Sequence, residues 1–178
     1  MNKKETILNI ALALFSSQGF DSTPTSLIAK KAEVSEGLIF RHFTNKEGLL
    51  NEILVEGFTK LAPYLELIAN ETKPKKILLL TLELPYKIIS EHREFWRLQN
   101  NLRLQNATFR ENFDNSAFLS PLDTQVLSAF KSLKCENPQL ETELFFIFLN
   151  GLGAYILDNE DKGYPTEIIK NILSKFIK

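Results

Sequence analysis

Residues 23–46 read TPTSLIAKKAEVSEGLIFRHFTNK, and they divide into two short helices with a tight turn between them. Thr23 is a residue type that caps a helix start, and Pro24 suits the first helical position, where a missing N–H costs nothing. Ile28, Ala29 and Ala32 then share one face, and the small alanines let a second helix cross closely. The periodicity breaks at Glu33-Val34, and Ser35 is a good N-cap for a second helix carrying Leu38, Ile39, Phe40 and Phe43. Ile39 and Phe43 fall on its core side, while Glu36, Arg41 and His42 point outward. Thr44 or Asn45 then caps a third helix that begins Lys46-Glu47-Gly48-Leu49-Leu50. A helix, a short turn and a capped second helix form a helix-turn-helix, the unit whose second helix enters the DNA major groove.

Around this stretch the 178 residues suit one compact domain or two small ones that share helices. Hydrophobic residues at 44% and charged residues at 24% describe a soluble globular protein. The longest uninterrupted apolar run, residues 144–149, falls far short of the ~20 residues of a membrane span. Asn9, Ser16 and Ser17 interrupt the apolar positions near the N-terminus, and Asn2-Lys3-Lys4-Glu5 reads as a capping box rather than a signal peptide. A cytoplasmic protein with no membrane partner is expected. Cys135 is the one cysteine and His42 and His92 the two histidines, which excludes cysteine-based zinc clusters and leaves no metal site or cofactor to expect.

Enzyme chemistry finds little support. Glu91, His92 and Glu94 are titratable, but adjacent residues on a helix diverge in direction and usually form a solvated face. No nucleophile elbow or phosphate-binding loop occurs. The net charge of −1 divides into +1 over the first 50 residues and −2 over the remainder. Phosphate attraction dominates non-specific DNA binding, so one copy of such a head would bind modestly and tight binding calls for two.

Along the chain, Ile7, Ile10, Ala11, Leu14 and Phe15 predict a helix over residues 3–17, ended by Gly19 in a left-handed turn. Lys3 and Lys4 near its start read as solvated lysines within reach of a phosphate. Leu49, Leu50, Ile53, Leu54, Phe58 and Leu61 predict a helix over residues 46–64, weakened at its far end by Pro63. Pro74 opens a helix too apolar for a surface position, with Pro85 predicting a kink near residues 81–84. A further helix covers residues 91–105. Residues 106–119 read as an irregular segment whose Phe109, Phe113 and Phe118 either plug a core or gate an apolar pocket. Helices follow over residues 121–133, 138–157 and 165–177. The middle one is apolar nearly all round, which requires another surface to cover it.

The N-terminal fifty residues resemble the DNA-binding domain of the TetR family of transcriptional regulators. The matching residues are Ile10-Ala11-Leu12-Ala13-Leu14-Phe15 ending in Gly19-Phe20, then Thr23, Ile28-Ala29-Lys30, Ala32, Val34-Ser35, Gly37, Phe40-Arg41-His42-Phe43 and Asn45-Lys46-Glu47. The resemblance implies an all-α protein of about nine helices, with a helix-turn-helix domain over residues 1–46 and a ligand-binding and dimerisation domain over residues 47–178. Residues implied to meet DNA are Thr25 and Ser26 at a helix start, then Glu36, Gly37, Leu38, Phe40, Arg41 and His42 on the recognition helix, and Lys46 beyond it. Gly37 lets the groove approach, Leu38 suits a thymine methyl, and Arg41 suits a guanine edge or a phosphate.

Three residues depart from the family pattern. Glu33 stands where glycine is usual, so the turn is either less strained or accepts left-handed strain. Phe40 stands for a common tyrosine and Leu38 for a frequent threonine or serine. The layout further implies a pocket for a small, largely apolar or aromatic effector, with candidates Phe58, Leu61, Tyr86, Ile89, Phe95, Trp96, Gln99, Leu102, Arg103 and Phe113. A homodimer interface is implied through Leu144, Phe145, Phe148, Leu152, Tyr155, Ile169, Leu173 and Phe176. The reading is a ligand-responsive regulator, most often a repressor, acting as a homodimer on palindromic double-stranded operator DNA. The rival reading is an all-helical interaction protein that has lost or weakened its DNA binding.

Overall fold

The computed structural model describes residues 2–106, 109, 119–159 and 162–177, and its regular elements are helices. α1 spans Lys3–Gln18, α2 Thr25–Lys31, α3 Glu36–Phe43, α4 Lys46–Thr59, α5 Ala62–Ala69, α6 Pro74–Gln105, α7 Ser120–Ser132, α8 Pro138–Asp158 and α9 Thr166–Phe176. The expected all-α architecture is what the chain adopts. Its start is closed by a capping box: Asn2 Oδ1 accepts from the Glu5 N–H at 2.9 Å, and the Asn2 N–H donates to the Glu5 carboxylate at 3.1 Å. Gly19 ends α1 at φ 88°, its N–H donating to the Phe15 carbonyl at 3.1 Å.

Two compact units emerge, one from residues 1–60 and 92–110, the other from residues 61–91 and 111–178. Compactness therefore groups the chain differently from the expected boundary after residue 46: α4 and the last part of α6 join the head. The reason is visible in the first core, where Ile7, Ala11 and Phe15 of α1, Ile28 of α2, Ile39 and Phe43 of α3, and Leu49 and Ile53 of α4 meet Leu98 and Leu102. At Gly57 the ring of Phe95 lies so close that a Cβ would stand 2.0 Å from it. Phe58 meets the same ring edge-on at 5.3 Å.

The second unit has its own aromatic core. The ring of Phe145 on α8 lies 5.7 Å from Phe130 of α7 and 5.3 Å from Phe176 of α9, and Leu78, Leu82, Val126 and Ile169 are buried. α7 packs on both α5 and α8. Gln125 on α7 donates to the Ala69 carbonyl at the end of α5, at 2.6 Å.

Three expectations about elements need correction. The helix expected to run to residue 64 stops at Thr59, and Pro63 instead sits in the first turn of a separate helix, α5, where proline loses no hydrogen bond. Thr23 is not the N-cap of α2. It is fully buried, its hydroxyl donates to the Gly19 carbonyl at 2.8 Å, and Pro24 takes the cap position. Pro85 produces no break near residues 81–84, because burial of Leu82, Leu84, Ile88 and Ile89 holds the helix on both sides of it. The break in α6 comes at His92, with φ −136° and ψ 44°. Of the segment read as irregular, Phe109 packs partly buried against the first core, while Phe113 and Phe118 lie outside the described residues.

Candidate nucleic-acid interface

α3 has eight residues, too few to be stable without help from its ends and its packing. Ser35 supplies the first help, its hydroxyl accepting from the Leu38 N–H at 3.3 Å. Glu36 places a negative charge at the positive end of the helix dipole. At the other end Thr44 turns out of the helix at φ 67°, its N–H donating to the Phe40 carbonyl at 2.9 Å. Asn45 then caps α4, accepting from the Gly48 N–H at 2.7 Å. Gly48 cannot be larger, since a Cβ there would stand 2.1 Å from the Phe43 carbonyl oxygen. The turn from α2 accepts left-handed strain, with Glu33 at φ 54°. The Val34 N–H closes that turn onto the Ala29 carbonyl at 3.0 Å.

This frame buries Ile39 and Phe43 and leaves Gly37, Phe40, Arg41 and His42 exposed on one surface, with Ser26 of α2 exposed as well. A Cβ added at Gly37 would meet nothing within 4 Å. An aromatic ring, a guanidinium and an imidazole around an open backbone position can serve base edges and phosphates together.

The other DNA-contact candidates are already engaged. The Thr25 hydroxyl donates to the Glu36 carboxylate, tying the start of α2 to the start of α3. Leu38 is half-buried against the first core. The Lys46 ammonium lies 4.4 Å from the Phe20 ring centroid and donates to the Asp21 carbonyl at 3.4 Å, a cation held over an aromatic face. Lys4 pairs with Glu52 rather than standing solvated. None of these pairings is visible from helical spacing, because each joins residues on different elements.

The effector candidates divide between the two units: Phe58, Phe95, Trp96, Gln99, Leu102 and Arg103 belong to the first, Leu61, Tyr86 and Ile89 to the second, and Phe113 lies outside the described residues. Leu102 is part of the first core, and Phe95 fills the space beside Gly57. Tyr86 meets Tyr164 edge-on at 4.9 Å. The Tyr164 hydroxyl donates to Glu83 at 2.8 Å. Burial first, and then that hydrogen bond, push its phenol up to about 12.

The eight interface candidates also divide. Phe145, Leu152, Ile169 and Phe176 are buried within the chain itself, and Leu173 is half-buried, whereas Leu144, Phe148 and Tyr155 are exposed. Ile147 and Ile168, not among the candidates, are exposed too. Spacing alone did not separate the side of α8 that packs inward from the side that faces out. α8 is also long and apolar enough to cross a membrane by length and composition.

Residues 7–53 match the family described as bacterial regulatory proteins, tetR family. The regulator QacR of Staphylococcus aureus is 44% identical over 54 residues, 30% of this chain and 29% of QacR. The chain spans about a third of the length of the curated relatives it matches. Over nearly the whole length the fold is similar to the TetR family regulator PfmR of Thermus thermophilus, with a TM-score of 0.76, 16% identity and coverage of 100% of this chain and 97% of the other. It is also similar to the regulator FadR of Bacillus subtilis, in complex with stearoyl-CoA, with a TM-score of 0.75, 18% identity and coverage of 98% and 97%.

Proposed function

We propose that the chain, whose residues 7–53 match the TetR family of bacterial regulatory proteins, regulates transcription as a ligand-responsive repressor. The observation that carries the reading is coincidence: the matched residues are those of α1 to α4, and within them α3 presents Gly37, Phe40, Arg41 and His42 to solvent. α3 is then the recognition helix in the major groove, Arg41 its main polar reader, and Ser26 and His42 contacts to the backbone.

The active species is a homodimer. One head carries little net positive charge, so affinity comes from two heads on two half-sites of a palindrome. The exposed Leu144, Ile147, Phe148 and Tyr155 of α8 supply an apolar surface for a second copy. Glu141 and Glu143 interrupt the same helix and favour a protein partner over a bilayer. The protein works in the cytoplasm, where its DNA is, and carries out no reaction and needs no cofactor.

The effector is small and largely apolar or aromatic. FadR of Bacillus subtilis, similar in fold, holds stearoyl-CoA, which supports an apolar ligand here. Such a ligand acts only by binding the DNA-incompetent arrangement of the dimer more tightly than the competent one.

The test is fluorescence anisotropy of the purified chain on labelled DNA from upstream of its own gene, against a scrambled duplex, at two salt concentrations. Preferential binding that saturates at two subunits per site is expected. Equal, salt-sensitive binding to both duplexes would sink sequence-specific regulation by that site. No binding even at low salt would turn the reading to an all-helical interaction protein.

A further inference from the structure

Glu36 is the one acidic side chain of α3, half-buried in its first turn. Among the described residues its carboxylate takes a single hydrogen bond, from the Thr25 hydroxyl to Oε1, and pairs with no cation. A carboxylate accepts at both oxygens and donates at neither, so Oε2 keeps its capacity to accept. On a surface that meets DNA this charge opposes the phosphate attraction that drives binding, and the first 50 residues carry a net charge of only +1. Glu36 offsets that cost only by taking a hydrogen bond from a base.

Its position suits that task. Recognition helices present their N-terminal residues to base edges, and on α3 those are Glu36 and Gly37, where the backbone is open. Phe40, one turn beyond Glu36, is exposed on the same side. Arg41 stands five residues on, about 7.5 Å along the axis, so the two charges meet different base pairs.

The groove decides which base. Only cytosine and adenine offer an amine donor on their major-groove edges. Adenine sets its N7 acceptor beside the amine, which repels a carboxylate and suits an amide instead. Cytosine presents its N4 amine with no acceptor of its own beside it. By binding Oε1, Thr25 holds the carboxylate in one orientation and leaves Oε2 for that amine, which reduces the side-chain freedom lost on contact.

We infer that Glu36 selects cytosine in each half-site through its N4 amine, and that Thr25 is the positioning residue that aims it. This rests on the reading of α3 as the recognition helix and adds to it the base chosen and the pair of residues that chooses it.

The intact protein, Glu36→Gln, Thr25→Val and Thr25→Ser each select sites from a random duplex pool, and the selected duplexes are then measured by anisotropy. Glu36→Gln keeps the side-chain length and an acceptor for Thr25, so its melting should match the unaltered chain. One position of each half-site is expected to be cytosine for the unaltered chain and to turn to adenine in Glu36→Gln, since an amide reads adenine through N6 and N7. The other positions should hold. Replacing that cytosine by adenine should weaken the unaltered chain about fivefold or more and strengthen Glu36→Gln. Thr25→Val should reduce the preference without changing the base preferred, and Thr25→Ser should restore it.

The inference is overturned if the selected site holds no constant cytosine, if Glu36→Gln selects the same sequence, or if the position that responds is not that cytosine. It is equally overturned if Thr25→Val weakens all duplexes alike, as a mere tie between α2 and α3 would. A chain that selects a sequence regardless of Glu36 leaves sequence-specific regulation standing without this pair. A chain that selects none, and binds every duplex weakly and in a salt-sensitive way, overturns both.

Discussion

Eight residues make α3 and twenty-one make α8, and both turn large side chains to solvent. The short helix is capped at its start by the Ser35 side chain and closed at its end by the Thr44 N–H, directly before Asn45 caps the next helix, and its outer surface mixes ring, cation and open backbone. The long helix is capped by Asn137 at its start, and at its end the Asn159 amide donates to the Tyr155 carbonyl at 2.8 Å; its outer surface is Leu140, Leu144, Ile147, Phe148 and Tyr155 with no basic residue between them. A helix too short to hold itself must take its stability from caps and close packing, and each of those leaves a mark in the sequence. In a long apolar helix such marks stand at the ends alone, so the residues between them do not announce whether they serve their own core or a partner. Function is legible in the first case from the chemistry of the ends, and in the second only from which side chains the fold leaves outside.

The contrast within α8 gives the largest expected effect. Phe145→Ala removes a fully buried ring from the second core and should cost about 3–5 kcal/mol in urea unfolding. Ile147→Ser, two residues on, should leave the unfolding of the isolated protomer within about 0.5 kcal/mol while weakening self-association in analytical ultracentrifugation. Equal destabilisation by both would mean that α8 has no free side.

On α3, Arg41→Ala should weaken operator binding by about 1–3 kcal/mol, roughly 5- to 150-fold, with unchanged melting and oligomeric state. If binding holds, the exposed surface of α3 does not read DNA in the way its chemistry suggests. Ser35→Ala tests the end rather than the surface. Loss of its cap should cost about 1 kcal/mol of stability, seen as earlier amide exchange in α3 than in α1. An unchanged exchange pattern would show that packing of Ile39 and Phe43 suffices.

The smallest effect is a titration in the second unit. The Tyr164 phenol, raised from 10 to about 12 chiefly by burial and then by its bond to Glu83, favours the fold while protonated. That contribution is complete below the unfolded value near 10 and is lost as pH rises through about 12. Ultraviolet difference titration of the protein against Tyr164→Phe should show this tyrosine ionising last, and Glu83→Gln should bring it down. Ionisation near 10 would mean that the contact opens in solution.

Much of the head was legible because its signals are local. Ser35, Asn45 and the Asn2 to Glu5 box each act within four residues, and each caps the helix expected of it. The errors share a cause as well. Thr23 and Pro63 were read by the residue types they are, while the outcome depended on neighbours in space: the Gly19 carbonyl for Thr23, and a new helix packing on α7 for Pro63. Lys46 and Thr25 carry the right chemistry for phosphate but are held by Phe20, Asp21 and Glu36, contacts that no periodicity contains. Trp96 and Gln99 are among the effector candidates that the family layout implies. The fold added what spacing does not give, that their nitrogens are buried without an acceptor among the described residues.

The first core takes Leu98 and Leu102 as well as residues from α1 to α4, and this has a consequence in time. On the ribosome the first sixty residues emerge without them, and residues 61–91 must be made before the segment that completes the core begins to appear. At ~5–20 residues per second that is a wait of roughly 2 to 6 s. During it the groove at Gly57 has no Phe95 to fill it, so the nascent head meets the cell as a helical intermediate with an open apolar seam. A DNA-binding half expressed without residues 92–110 inherits that seam permanently.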